Sequence, residues 1–267
     1  MGSDLEKNEE IMAGPTILEM IRAARWRGAL KSLLRYYGFP GKIGLMARFY
    51  AQFIRPGDLC FDLGAHLGDR IKAWSRLGAR VVALEPHPQL AALLRQWYGD
   101  RGAATVLEKA IGRSPGRETL YISQDSPTLN TLSSAWIETI AQARQFSGVE
   151  WDARATVEVT TLDALIEEYG MPAFCKLDVE GFELAALEGL SCTLPALSFE
   201  YVPPVPQLAV DCIARLSLLG EYEYNWTARE LPRWRSPDWL TPQAMRAVLE
   251  ALSPEAHAGD VYARLLG

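Results

Sequence analysis

A chain of 267 residues, 49% of them hydrophobic, is long enough to bury one substantial core and is expected to form a single large domain. Its 33 acids outweigh 27 bases for a formal net charge of −6, which excludes the global positive field that a nucleic-acid binder relies on. Met1 to Glu10 is polar and acidic with no apolar h-region, and no apolar run reaches the roughly 18 residues that span a bilayer, so a cytoplasmic protein without a transmembrane segment is expected.

In chain order, residues 16–37 repeat apolar positions at helical spacing, interleaved with Arg22, Arg25, Arg27, Lys31 and Arg35, and predict a basic amphipathic helix. Residues 1–54 are accordingly expected to be a helical extension packed on a main domain spanning 55–267. From Arg55 short β-rich runs alternate with helical segments. DLCFDLG is a strand ending at Gly64, DRIKAWSRLG a helix stopped by Gly78, RVVALEP a strand stopped by Pro86, PQLAALLRQWYG a helix, and AATVLEKA a third strand. Such alternation requires parallel strands with right-handed crossovers. Residues 117–161 break the rhythm with strand RETLYIS, the polar stretch SQDSPTLNTLSS, helix AWIETIAQARQF and strand ATVEVTT. They are expected to form an insertion between the third and fourth strands, with Asp125 to Trp151 as a lid whose Trp136, Phe146 and Trp151 either stack on an acceptor or pack on the sheet. The alternation resumes with helix LDALIEEYG, strand AFCKLDVEG, helix FELAALEGL, strand PALSFEY and helix QLAVDCIARLSLLG, and EYEYNW, a helix at 241–252 and DVYARLL supply final antiparallel elements. The predicted fold is a doubly wound α/β domain with a mostly parallel sheet. Cys60, Cys175, Cys192 and Cys212 have no C-x-x-C pairing and are expected to be structural thiols.

The first strand-to-helix turn, FDLGAHLGDR, places Asp62, Gly64, Ala65, His66, Gly68 and Asp69 at the carboxyl edge, where open α/β sheets bind ligands. Its glycines are expected to let the backbone approach a nucleotide-like cofactor closely. The dinucleotide fingerprint needs a middle glycine to admit pyrophosphate, but His66 stands inside Gly64-Ala65-His66-Leu67-Gly68, and an acid precedes the turn. S-adenosylmethionine, which has no phosphate and carries a sulfonium and an ammonium, suits that chemistry better. The second strand ends at Glu85 and Pro86, about 20 residues after the turn, where an acid can bind ribose hydroxyls. The loop after the third strand, with Ala110, is expected near the adenine. The fourth strand delivers Lys176, Asp178, Glu180 and Glu183 to the same edge, and the fifth adds Glu200. Charges in a buried strand are costly unless paired or functional. Asp178, then Glu180, then His66, are the expected bases for an acceptor hydroxyl. Lys176, Glu200, Asn130 and Thr131 are expected to face the acceptor. A divalent metal on Asp178, Glu180 and Glu200 is the alternative to ion pairing, and no metal is assigned.

FDLGAHLGDR, the LEP step, the segment from PTLNTLSSAW to VEVTTLD, and above all KLDVEGFELAALEGL resemble the FkbM family of methyltransferases, a class I group linked to O-methylation of sugars and polyketides. The likeness runs from about residue 55 to 202, and LRYYGFPGKIGLMARFYAQFIRPGD resembles the lead-in of bacterial members. The resemblance implies a Rossmann-like class I fold with S-adenosylmethionine carried by Asp62, Gly64, Gly68 and Glu85. It implies methylation of a hydroxyl on a sugar, glycan, lipid or secondary metabolite, and it does not fix the acceptor. A homo-oligomer stays open. The competing readings are an NAD-type oxidoreductase and a non-catalytic module that keeps the cofactor pocket.

Overall fold

The computed structural model describes residues 41–100, 102–143, 146–229 and 232–267. The helix expected over 16–37, and the extension before residue 41, lie outside the described residues. The described elements run α1 (Lys42–Tyr50), β1 (Leu59–Leu63), α2 (Asp69–Ser75), β2 (Arg80–Leu84), α3 (Pro88–Leu94), β3 (Ala104–Leu107), β4 (Ala110–Ile111), β5 (Gly116–Ile122), α4 (Ser134–Ile140), β6 (Ala153–Thr160), α5 (Leu162–Tyr169), β7 (Phe174–Leu177), α6 (Glu183–Glu188), β8 (Ala196–Tyr201), α7 (Pro206–Leu219), β9 (Tyr222–Trp226), α8 (Pro242–Glu250) and β10 (Gly259–Leu265).

Seven strands form one sheet in the order β3-β2-β1-β7-β8-β10-β9. The first five are parallel, and β10 inserts antiparallel between β8 and β9. Every residue of β1 and of β7 is buried, as expected of central parallel strands covered on both faces. Strand alternation divides them between two cores. Leu59, Phe61, Leu63, Cys175 and Leu177 pack with α5, α6, α7 and α8, whereas Cys60 and Phe174 pack with α1, α2 and α3. Helices on both faces make the fold doubly wound. Helix α1 presents Ile43, Met46, Ala47 and Tyr50 to the second core, where the Tyr50 ring meets Trp74 and Phe174 edge-on at 5.4 and 5.2 Å. Cys60, Cys175 and Cys212 are buried free thiols, and Cys192 is half-buried.

The third strand differs from its expected single run. β3 stops at Leu107, and after Glu108 and Lys109 the chain enters a second sheet, β4-β6-β5, with its own core of Ala110, Leu120, Ile122, Val157 and Val159. The helix expected over AWIETIAQARQF ends at Ile140, so Trp136 and Phe146 do not share it. Its start is set by Ser133, whose Oγ accepts from the Trp136 N–H at 3.0 Å. Among the described residues no helix is long and apolar enough to cross a membrane.

Candidate active site

The turn after β1 is built by contacts within the protein. Gly64 stands at φ +86°, and a Cβ there would lie 1.9 Å from the Asp178 carbonyl oxygen. Its N–H and that of Ala65 both donate to Leu84 O at 2.9 Å, so the ends of β1, β2 and β7 are drawn together. Gly68 has φ +74°, and a Cβ would meet Tyr98 Cε2 at 2.6 Å. Both glycines are therefore required by backbone conformation and by neighbouring protein atoms, and Gly64 also lines the cleft above the turn. At the end of β2, Glu85 is nearly buried. Its Oε2 accepts from His66 N–H at 2.8 Å and its Oε1 from His87 N–H at 2.9 Å. Burial pushes its carboxyl up to about 7 despite these donors.

Above the turn lies a cleft open to solvent. Of the residues singled out in the sequence, Gly64, His66, Asp69, Glu85, Pro86, Ala110, Asn130, Asp178 and Glu180 line it. Asn130 is fixed through its Oδ1, which accepts from Ser123 N–H at 3.0 Å, while its buried Nδ2 has no hydrogen-bond partner among the described residues. Asp62, Ala65, Gly68, Thr131, Lys176 and Glu200 are not part of the lining. Two of these correct the expectation that they face an acceptor. Lys176 is wholly buried, its Nζ 2.7 Å from Asp260 Oδ1, 3.5 Å from Asp178 Oδ2 and donating to Leu177 O at 3.0 Å. Thr131 is also wholly buried, and its hydroxyl is spent on the Glu180 carbonyl at 2.5 Å. Neither has surface to offer. The lid aromatics pack on one another as well: Trp136 is buried, with Phe146 and Trp151 rings 6.4 and 6.5 Å away, and the Trp151 indole donates to Leu129 O at 2.8 Å.

Three carboxylates meet at the carboxyl edge: ligand atoms of Asp178, Glu180 and Glu200 lie within 4.8 Å of one another. Their environments push them apart. Burial disfavours the charge on Asp178, but Lys176 and Arg70, the latter with Nη2 at 3.2 Å, outweigh it and hold this carboxyl below its usual range. Glu180 is driven well above the ordinary range by burial and then by the nearby Glu200, Asp178 and Glu183; Glu200 is driven up by burial and Asp178. Beneath them Glu183 accepts from the Val179 and Gly181 N–H groups at 3.1 Å each, and burial pushes it up to about 7. Sequence reasoning passed over Arg70 and Asp260. Arg70, next to Asp69 in the first turn of α2, carried a local signal; Asp260, in a strand outside the alternation, carried none.

The donor set fits a cationic cofactor. Four carboxylates, Asp69, Glu85, Asp178 and Glu180, line the cleft against two cations, Arg70 and Lys109, and Arg70 is already engaged by Asp69 and Asp178. Below the turn, Asp62 is buried with neither carboxylate oxygen hydrogen-bonded among the described residues. A family model for the methyltransferase FkbM domain matches residues 62–208, more than half of the chain. The chain belongs to the FkbM methyltransferase family. It is a methyltransferase whose cofactor is S-adenosylmethionine, and its sheet order is that of the class I, Rossmann-like fold. Family membership replaces the NAD-type alternative. Among solved structures, the chain is similar to a TehB-like SAM-dependent methyltransferase from Corynebacterium glutamicum (10% identity, 89% of this chain and 94% of that one, TM-score 0.45). It is also similar to a SAM-dependent methyltransferase from Geobacter sulfurreducens in complex with S-adenosyl-L-homocysteine (13% identity, 95% and 98%, TM-score 0.42) and to an O-methyltransferase from Bacillus cereus in complex with SAH (12% identity, 94% and 92%, TM-score 0.42). No curated protein matches the chain.

Proposed function

We propose that this FkbM methyltransferase methylates a hydroxyl group of a small acceptor such as a sugar, a glycan, a lipid or a secondary metabolite, with Glu180 taking the hydroxyl proton. The observation that supports this reading is the meeting of Asp178, Glu180 and Glu200 beside the cleft, with Glu180 and Glu200 held above the ordinary carboxylate range. S-adenosylmethionine supplies a methyl group already activated on a sulfonium, so the protein's work is alignment and proton removal. A base is effective when its proton affinity approaches that demanded at working pH. Asp178, held ionised by Lys176 and Arg70, is the weaker base and serves as a fixed negative charge; Glu180, with Glu200 behind it, is the stronger. The proposed order thus places Glu180 ahead of Asp178, which the sequence put first. Glu85 is assigned to the ribose hydroxyls, Asp62 to charge balance beneath the cationic end of the cofactor, and the Asn130 amide to a donor role within the cleft.

The test is mass spectrometry of a panel of hydroxylated acceptors incubated with the enzyme and S-adenosylmethionine. An O-methylated product is expected, and Glu180→Gln should lower turnover by about 10²-fold or more with a much smaller loss of cofactor affinity. Methylation on nitrogen or carbon, or full turnover in Glu180→Gln, overturns the reading.

A further inference from the structure

The carboxylate cluster depends on a backbone conformation that Glu180 does not adopt by preference. Its φ is +49°, in the left-handed region that side-chain-bearing residues avoid and that persists only where surrounding structure imposes it. The imposing contacts come from the insertion between β3 and β7. Thr131 Oγ1 donates to the Glu180 carbonyl at 2.5 Å. Thr131 is itself immobilised: its N–H and carbonyl pair with Tyr121 of β5 at 3.1 and 2.8 Å, and its Oγ1 accepts from Ser133 N–H at 3.0 Å. One residue on, Gly181 has φ +89°, and Trp136 occupies the space beside it so closely that a Cβ would fall 2.3 Å from the indole Cγ. From the opposite side Glu183 binds the N–H groups of Val179 and Gly181. The loop is thus clamped between α6 and the insertion: the peptide after Glu180 is held at its N–H by the Glu183 carboxylate and at its carbonyl by the Thr131 hydroxyl.

We infer that Thr131 is a positioning residue: its hydroxyl fixes the Glu180 peptide in the left-handed turn that directs the Glu180 carboxylate toward Glu200 and Asp178. The second sheet is then part of the apparatus that performs proton transfer rather than a cover over the cofactor. This inference rests on the assignment of Glu180 as base, and it gives Thr131, which touches neither cleft nor surface, a role through Glu180 alone.

Carboxyl titrations followed by ¹³C NMR in protein labelled at glutamate side chains test it without an acceptor. Glu180→Gln and Glu200→Gln assign the two resonances. The charged groups acting on the pair are Asp178 and Lys176 from β7 and its loop, Glu183 from α6 and Asp260 from β10. In the wild-type enzyme both resonances should titrate above the usual glutamate range. In Thr131→Val, which removes the donor and keeps the branched shape, the loop relaxes, the carboxylates separate, and the Glu180 titration should fall by at least about one pH unit, while Thr131→Ser keeps the wild-type value. S-adenosylmethionine affinity should be unchanged in both. A raised Glu180 titration that persists in folded Thr131→Val overturns the role of Thr131 and leaves the base assignment standing. An ordinary titration of Glu180 in the wild type overturns the base assignment and the positioning role with it. Thr131→Ala carries the same comparison if the valine variant does not fold.

Discussion

Asp62 is buried, yet its protonation can be followed through ligand binding. Burial, with contributions from Asp69 and Asp178 against Arg70, raises its carboxyl to about 7. A cation bound above the turn favours the ionised form, so S-adenosylmethionine affinity should rise as pH increases through about 7 and level off beyond it, by up to tenfold per unit of pKa displacement. Binding near pH 7 should therefore release protons. Isothermal titration across pH, in buffers of different ionisation enthalpy, checks both points. Because Glu85 also titrates near 7, Asp62→Asn is the discriminating variant: it should bind more weakly, with a flatter pH dependence. An affinity independent of pH in the wild type would remove Asp62 from charge balance. That an acid precedes the glycine turn was legible in the sequence. That both its oxygens lack hydrogen-bond partners among the described residues was not, because orphaning depends on what β2, β7 and α2 leave around it.

At the scale of elements, the docking of the insertion on the loop after β7 has a measurable cost structure. Gly181 and Gly170 both require positive φ, at +89° and +99°, but a Cβ at Gly170 meets nothing within 4 Å whereas at Gly181 it strikes Trp136. Gly170→Ala should therefore cost only the backbone strain of its φ +99°, ψ 175° conformation, about 1–3 kcal/mol, and Gly181→Ala should add about 1–3 kcal/mol of overpacking to its own backbone strain. Urea denaturation of the two variants decides the matter. Equal costs would mean that Trp136 moves aside freely and that the insertion is loosely held. The sequence carried half of this: the hydroxyl- and aromatic-rich stretch was recognisable as an interruption of the α/β rhythm. Which way Thr131 and Trp136 face was not, since a polar segment between strands reads as surface until its partners are known.

For the molecule as a whole, the carboxyl edge concentrates buried acids whose charge is balanced only in part. Asp62, Glu85 and Glu183 are each raised to about 7 in the folded state, above the ordinary range of about 4 that they regain on unfolding. A folded pKa raised in this way means that the native state holds protons more tightly, so the stabilisation is present in full below the unfolded value and is lost as pH rises through about 7. Asp178 is displaced the other way, and its contribution is lost only in acid, outside this window. The melting temperature of the cofactor-free enzyme should thus decline as pH is raised from about 4 to about 7, and saturating S-adenosylmethionine should reduce the slope by favouring ionised Asp62. Differential scanning calorimetry with and without cofactor tests this. A cofactor-free melting temperature that climbs over the same window would show that the buried acids are paired in solution.

The sequence by itself determined the parallel sheet, its two covered faces, the glycine turn with Asp62 and Glu85 at successive strand ends, and the family, because each is written in local periodicity or in a short motif. The tertiary structure decided what the charges do. β10 enters between β8 and β9, so Asp260 reaches Lys176 and consumes the ammonium expected to face an acceptor. β4 leaves the main sheet two residues after β3 ends, which builds the second sheet and brings Thr131 against Glu180. Burial, with Glu200 and Asp178 alongside, makes Glu180 the more basic carboxyl, while Lys176 and Arg70 make Asp178 the less basic. A carboxyl group's proton affinity is set by burial and by charges within a few ångströms, and here those charges come from residues far apart in the chain that only the strand order makes neighbours.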